Sequence, residues 1–187
     1  MKWFDYYLQS VRFKMAAKHI EANNNLLDIG CFNGELFQLL QEKNISGIGV
    51  DPLADIGKVK LPDDVVLLKV HFPTDKVKGL KFNYITALAV FEHISPDEQH
   101  NFLEECYRLL SEEGKMIITV PSSMVDNILR TLKFLHLIDA MSLEQHHGFK
   151  PVEVIPVFRK AGFILLRHTR FELGLNNLFV FKKSPIE

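Results

Sequence analysis

Asn25-Leu26-Leu27-Asp28-Ile29-Gly30-Cys31-Phe32-Asn33-Gly34, followed downstream by Gly49-Val50-Asp51-Pro52, is the part of the chain whose reading decides the fold. An apolar run that ends in an acid and two glycines predicts a buried strand turning tightly into a helix. Glycine opens such a turn and leaves backbone exposed where a ligand can approach. Asp51 closes a second apolar run, and a carboxylate there can accept hydrogen bonds from a ribose diol, as happens in open parallel sheets that bind nucleosides. In a dinucleotide-binding turn, glycine-x-glycine-x-x-glycine leads a pyrophosphate to a helix amino terminus. Here the order is acid-x-glycine-x-x-x-glycine, and an acid inside the turn repels a pyrophosphate but suits a cation.

Outward from this stretch, apolar strand patterns follow at 25–29, 46–50, 65–70, 82–89 and 115–120, with helical patterns between several of them. That alternation predicts a doubly wound parallel sheet with helices on both faces. Residues 1–22 repeat Leu8, Val11, Met15 and His19 or Ile20 at helical spacing, which predicts a helix packed beside the nucleoside site. The helix at 96–110 carries a cap at Ser95, proline at its first position and Glu98 for a capping box, with Gly114 as its stop. Another starts at Pro151 and stops at Ala161-Gly162. Runs at 163–171 and 178–183, joined through 172–177, read as a closing hairpin. The expected fold is therefore α/β, a seven-stranded doubly wound sheet, mostly parallel, with a C-terminal antiparallel hairpin.

Composition bounds the function classes. The 187 residues are 47% hydrophobic, which fits a single domain over 1–187 with a sizeable core. A net charge of -1, from 22 basic and 23 acidic residues spread along the chain, shows no electrostatic footprint for nucleic acid or an anionic membrane. Cys31 and Cys106 lie far apart, so a disulfide framework is not expected and a reducing compartment is. No apolar stretch approaches the roughly 18 residues of a membrane span, and the amino terminus lacks a signal-peptide core. The expected location is cytoplasmic.

The glycine turn with Asp51 at this interval resembles the first two motifs of the class I S-adenosylmethionine-dependent methyltransferases with the Rossmann-like fold. The resemblance implies S-adenosylmethionine as cofactor and, as its contacts, Asp28, Gly30, Cys31, Gly34, Asp51 and Pro52. It sets Asp28 near the methionine ammonium and sulfonium. Phe32 stands where the family usually has a small residue, so its ring either narrows the methionine channel or points into the core. After the third strand the family tends to place an acid for the adenine amino group. This chain has Val70-His71-Phe72, so His71 is a candidate to bond adenine and Phe72 to flank it, with ordinary loop and core roles as the alternative. Phe82 to Ile94 resembles the fourth-strand segment, in which Ala87 and Leu88 line the methionine arm and a Glu-His pair follows; Asn83 replaces the usual acid. The segment lacks the Asn-Pro-Pro-Tyr signature of enzymes that methylate exocyclic amines, which disfavours DNA bases; the expected acceptor is a small molecule, a sugar or a partly apolar metabolite given the apolar helical pattern at 125–138.

Methyl transfer is an in-line displacement that rewards alignment and exclusion of water, and a hydroxyl acceptor benefits from a base titrating near neutrality. His93, His146 and His147 are the candidates, each weighed against a structural role. No metal is expected, since no Cys/His/acid spacing supports one. Between the fifth strand and the next helix, 121–149 carries a long apolar helical pattern through Val125, Ile128, Leu129, Leu132, Leu135 and Ile138. An insertion there lies over the crevice as a lid or acceptor wall, against a plain packing helix or a dimer contact. Two rival functions remain: a methyltransferase-like binding module without turnover, and a nicotinamide-dependent oxidoreductase, which the acid in the turn disfavours.

Overall fold

The computed structural model describes residues 3–122 and 151–184. Strands β1 (Asn25–Ile29), β2 (Ser46–Val50), β3 (Val65–Leu68), β4 (Phe82–Leu88) and β5 (Leu110–Pro121) pair in parallel. Strands β6 (Phe163–Phe171) and β7 (Asn176–Lys183) complete the sheet, and β7 runs antiparallel to both neighbours. The order across the sheet is β3-β2-β1-β4-β5-β7-β6. It reverses between β1 and β4, and in open α/β sheets the crevice beyond the carboxyl ends of such a pair is where ligands bind.

Side chains alternate across the sheet and build two cores. Leu27 and Ile29 of β1, Ile85 and Ala87 of β4, Met116 and Ile118 of β5, and Phe179 and Phe181 of β7 face one side. There they meet α3 (Pro96–Leu109) and α4 (Pro151–Lys160) through Phe102, Leu103, Cys106, Val154 and Phe158. Aromatic rings knit this layer: Phe158 stacks on Phe181 at 4.3 Å and meets Phe91 edge-on at 5.2 Å. On the other side Leu26, Tyr84, Leu88, Ile117, Leu178 and Val180 pack against α1 (Trp3–Ala17) and the short α2 (Glu35–Leu39), which contribute Ala16, Leu36 and Phe37. Helices thus cover both faces, as the alternating pattern predicts.

Several boundaries differ from the sequence expectation, among them β3, which stops at Leu68, and β7, which starts at Asn176. The first helix ends at Ala17, where a tight turn from Ala16 to His19 releases the chain toward β1. Gly114 does not stop α3. That helix ends at Leu109, and β5 begins at once with Leu110 opposite Phe82, then bulges before Lys115 meets Tyr84. Gly114 sits within the bulge, where a Cβ would come within 3.0 Å of the Asn83 carbonyl, so its role is close backbone approach. The fourth strand stops one residue early because Ala89 turns left-handed, at φ 58°. At the opposite end of the sheet Asn25 and Asn83 tie β1 to β4 reciprocally. The Asn83 N–H donates to Asn25 Oδ1 at 2.7 Å, and the Asn25 N–H to Asn83 Oδ1 at 3.3 Å.

Candidate active site at the carboxyl ends of β1 and β4

The turn after β1 is built on unusual backbone. Gly30 (φ 76°) donates its N–H to the Val50 carbonyl at 2.8 Å, which binds the turn to the end of β2. A Cβ at Gly30 would collide with Val90 Cγ2, so the loops after β1 and β4 touch across the crevice and only glycine fits between them. Phe32 also adopts a positive φ, 47°, which is strained for a residue with a bulky side chain. Its N–H is held by Asp51 Oδ2 at 3.0 Å, while Asp51 Oδ1 accepts from the Leu53 N–H at 2.7 Å. Asp51 therefore shapes both the β1 turn and its own loop. The Phe32 ring is half-buried, and the Lys58 ammonium lies 5.9 Å from its centre.

Three acids gather here. Asp28, 3% exposed, stands on the face shared with α1 and α2. The parallel register sets it opposite Thr86, whose hydroxyl donates to Asp28 Oδ1 at 2.6 Å. Burial pushes the Asp28 carboxyl up to about 7; Thr86 offsets part of that, and the nearby Asp51 and Glu35 carboxylates raise it further. Glu35, at the start of α2, accepts from the Asn33 N–H at 3.2 Å and from Asn33 Nδ2 at 3.1 Å. Exposed glycine backbone beside a concentrated negative field suits a cationic ligand and opposes a pyrophosphate. Cys31 is buried against Gly49, and burial pushes its thiol up, so it contributes packing and backbone instead of a thiolate.

The other expected contacts are spread more widely. Pro52 is exposed beside Asp51. Beyond β3, His71 is exposed, whereas the Phe72 ring packs edge-on against Phe102 at 5.3 Å. Ala87 and Leu88 are buried in the two opposite core layers at the end of β4. Ala89 follows, its N–H held by the Thr119 carbonyl at 3.1 Å and the Thr119 hydroxyl at 3.0 Å. His93 is exposed at the end of the 3-10 turn Phe91–His93. His146 and His147 lie outside the described residues, as does 123–149 of the expected lid. No helix among the described residues is long and apolar enough to cross a membrane.

Several polar residues of this end escape a reading of the sequence. Glu92 is 2% exposed, with its carboxyl pushed up to about 7 by burial and drawn back in part by its own backbone N–H and then by Arg12. Asn33 is also buried. Across β5, Ser122 takes a hydrogen bond from Asn177 Nδ2 at 2.9 Å and donates to the Gly174 carbonyl, joining the end of β5 to the β6–β7 connection. The only sequence signal was an acid set within the apolar run Val90-Phe91-Glu92-His93-Ile94.

Comparison with known proteins identifies the family and agrees with the fold. A family model described as a methyltransferase domain matches residues 2–168. The mitochondrial ubiquinone biosynthesis O-methyltransferase of Mus musculus is 31% identical over 107 residues, a match spanning 50% of this chain and 28% of that protein. Among solved structures, a TehB-like S-adenosylmethionine-dependent methyltransferase from Corynebacterium glutamicum superposes with a TM-score of 0.68 at 16% identity, covering 92% of this chain and 87% of that one. The 1,6-didemethyltoxoflavin-N1-methyltransferase of Burkholderia thailandensis, solved with S-adenosylhomocysteine, superposes with a TM-score of 0.68 at 17% identity, covering 96% and 81%. The chain belongs to the methyltransferase-domain family, the S-adenosylmethionine-dependent enzymes with the Rossmann-like fold.

Proposed function

We propose that this chain, as one domain, transfers a methyl group from S-adenosylmethionine to a small-molecule acceptor, a sugar or a partly apolar metabolite, in the cytoplasm. The observation that carries the reading is the grouping of Asp28, Asp51 and Glu35 around an open glycine turn at the point where the strand order reverses. The residues present fit the cofactor. Asp28 faces the cationic methionine portion and Asp51, flanked by Pro52, receives the ribose diol. Gly30, Cys31 and Gly34 offer backbone, His71 and Phe72 after β3 and Ala87 and Leu88 at the end of β4 are the further candidate contacts, and His93, His146 and His147 are the candidate bases. When bound, S-adenosylmethionine supplies a methyl group activated by the sulfonium charge. The protein's part is to orient the acceptor along the carbon–sulfur axis and to exclude water.

Calorimetric titration with S-adenosylmethionine and S-adenosylhomocysteine, with NADH as control, tests this. Micromolar binding of the first two alone is the expected result. Binding of neither would favour a binding module without turnover, a reading to which Phe32 lends weight because its N–H already engages the carboxylate meant for ribose.

A further inference from the structure

Among the described residues three buried side-chain polar atoms have no hydrogen-bond partner: Asn33 Oδ1, Glu92 Oε2 and Glu172 Oε1. All three lie at the carboxyl end of the sheet. Two belong to carboxyls from different elements, Glu92 in the turn after β4 and Glu172 at the start of the β6–β7 connection. Asn176, bonded to the other Glu172 oxygen, pairs with Pro121 at the end of β5, so the connection abuts the same rim. The charge of Arg12 on α1 draws both carboxyls down in part, against burial, which raises them. A buried carboxylate oxygen with no donor is unfavourable, and what completes it is a group bearing a hydrogen. An anionic ligand would instead add like charge beside the two glutamates.

We propose that Glu92, supported by Glu172 and Arg12, forms the acceptor end of the site, and that the atom methylated is a neutral hydroxyl oxygen or amine nitrogen whose proton passes to Glu92. The inference rests on the methyl-transfer reading above. The acceptor atom bonds the methyl carbon as the carbon–sulfur bond breaks, the sulfur keeps that electron pair, and the proton released from the acceptor moves to Glu92 Oε2, then to solvent. Burial holds the Glu92 carboxyl up to about 7, where a group both accepts and returns a proton near neutrality. The charged group acting on it is Arg12 from α1, whose charge also lowers Glu172 of the β6–β7 connection, and His93, next in the chain, is exposed.

Carboxyl carbon NMR on the glutamate-labelled protein, saturated with S-adenosylhomocysteine, tests the assignment with phenol as a neutral donor and benzoate as an anion. Phenol at millimolar concentration, and not benzoate, is expected to move the Glu92 resonance and its titration midpoint. Glu92→Gln, which keeps size and shape, should weaken phenol by about ten-fold or more, the loss of one charge-assisted hydrogen bond, and leave S-adenosylhomocysteine affinity unchanged. Arg12→Met should raise the Glu92 midpoint, since the arginine holds it down. An unmoved Glu92 resonance with S-adenosylhomocysteine bound, or a stronger response to benzoate, overturns this inference alone. Failure of S-adenosylhomocysteine to bind overturns the methyl-transfer reading, and this inference with it.

Discussion

The turn after β1 and the segment after β4 border one crevice, yet they treat their acids in opposite ways. In the first, Asp51 holds two backbone N–H groups, Asp28 receives the Thr86 hydroxyl and Glu35 grips Asn33. In the second, and in the β6–β7 connection beside it, Glu92 and Glu172 each keep a buried oxygen without a partner. The carboxylates of the first region stiffen a loop that would otherwise relax out of its strained backbone, and so preorganise a surface. Those of the second await a donor. The acids of one half of the crevice are finished by the protein and those of the other by what enters it.

The largest effect expected of any change that would break this comparison is at Gly30. Gly30→Val forces a side chain into Val90 at a positive φ and should lower S-adenosylhomocysteine affinity by about a hundred-fold, with stability reduced by roughly 2–3 kcal/mol. Calorimetry on the folded variant checks this, and unchanged affinity would remove the finished half from the cofactor site.

Asp28→Asn should act in two directions. The folded protein holds the Asp28 proton up to about pH 7, against 3.8 for the free group, so the folded state binds more protons and stability falls as pH rises between those values. The amide escapes that loss. At about pH 8 the variant should be the more stable by up to a few kcal/mol, while its affinity for S-adenosylmethionine falls about ten-fold or more. Urea unfolding at about pH 5 and pH 8 reads the first effect, and an equal stability difference at both would show that the buried charge is not its source.

Asp51→Asn turns an amide donor toward one of two backbone donors and should cost about 1–2 kcal/mol of stability, with adenosine binding weakened about ten-fold. Calorimetry with adenosine, which lacks the methionine portion, separates the ribose contribution from that of Asp28. The smallest effect belongs to Thr86→Val. Losing the 2.6 Å hydrogen bond should raise the Asp28 midpoint further and cost about 1 kcal/mol at alkaline pH, less once the acid is protonated. Carboxyl NMR follows that midpoint directly.

How much of this was legible differs between the two halves. The run Asn25 to Gly34 and the interval to Asp51 predict β1, β2 and the turn between β1 and α2, because strand, glycine and helix signals are local. Ser95-Pro96 marks the start of α3 for the same reason. The partner of Asp28 was not legible, because Thr86 comes opposite it only through the β1–β4 register, which a single chain does not display. The start of β5 was misplaced because Gly114 reads as a helix stop and serves as a bulge. Glu92 was passed over for the adjacent His93 because a sequence shows residue type and conceals burial, and burial is what brings that carboxyl to neutrality.

The antiparallel strand β7 has a consequence for the order in which the protein can become competent. It lies between β5 and β6, and among the described strands β6 hydrogen-bonds to no other. A chain emerging from the ribosome therefore makes β6 before it has anywhere to dock, and Glu172 reaches the crevice only when the eight residues Asn176–Lys183 insert. The turn after β1 draws its strand neighbours from β2 and β4, which precede β7 in the chain. Glu172 therefore joins Glu92 at this end of the sheet only after β7 is in place, later than the turn after β1 can form.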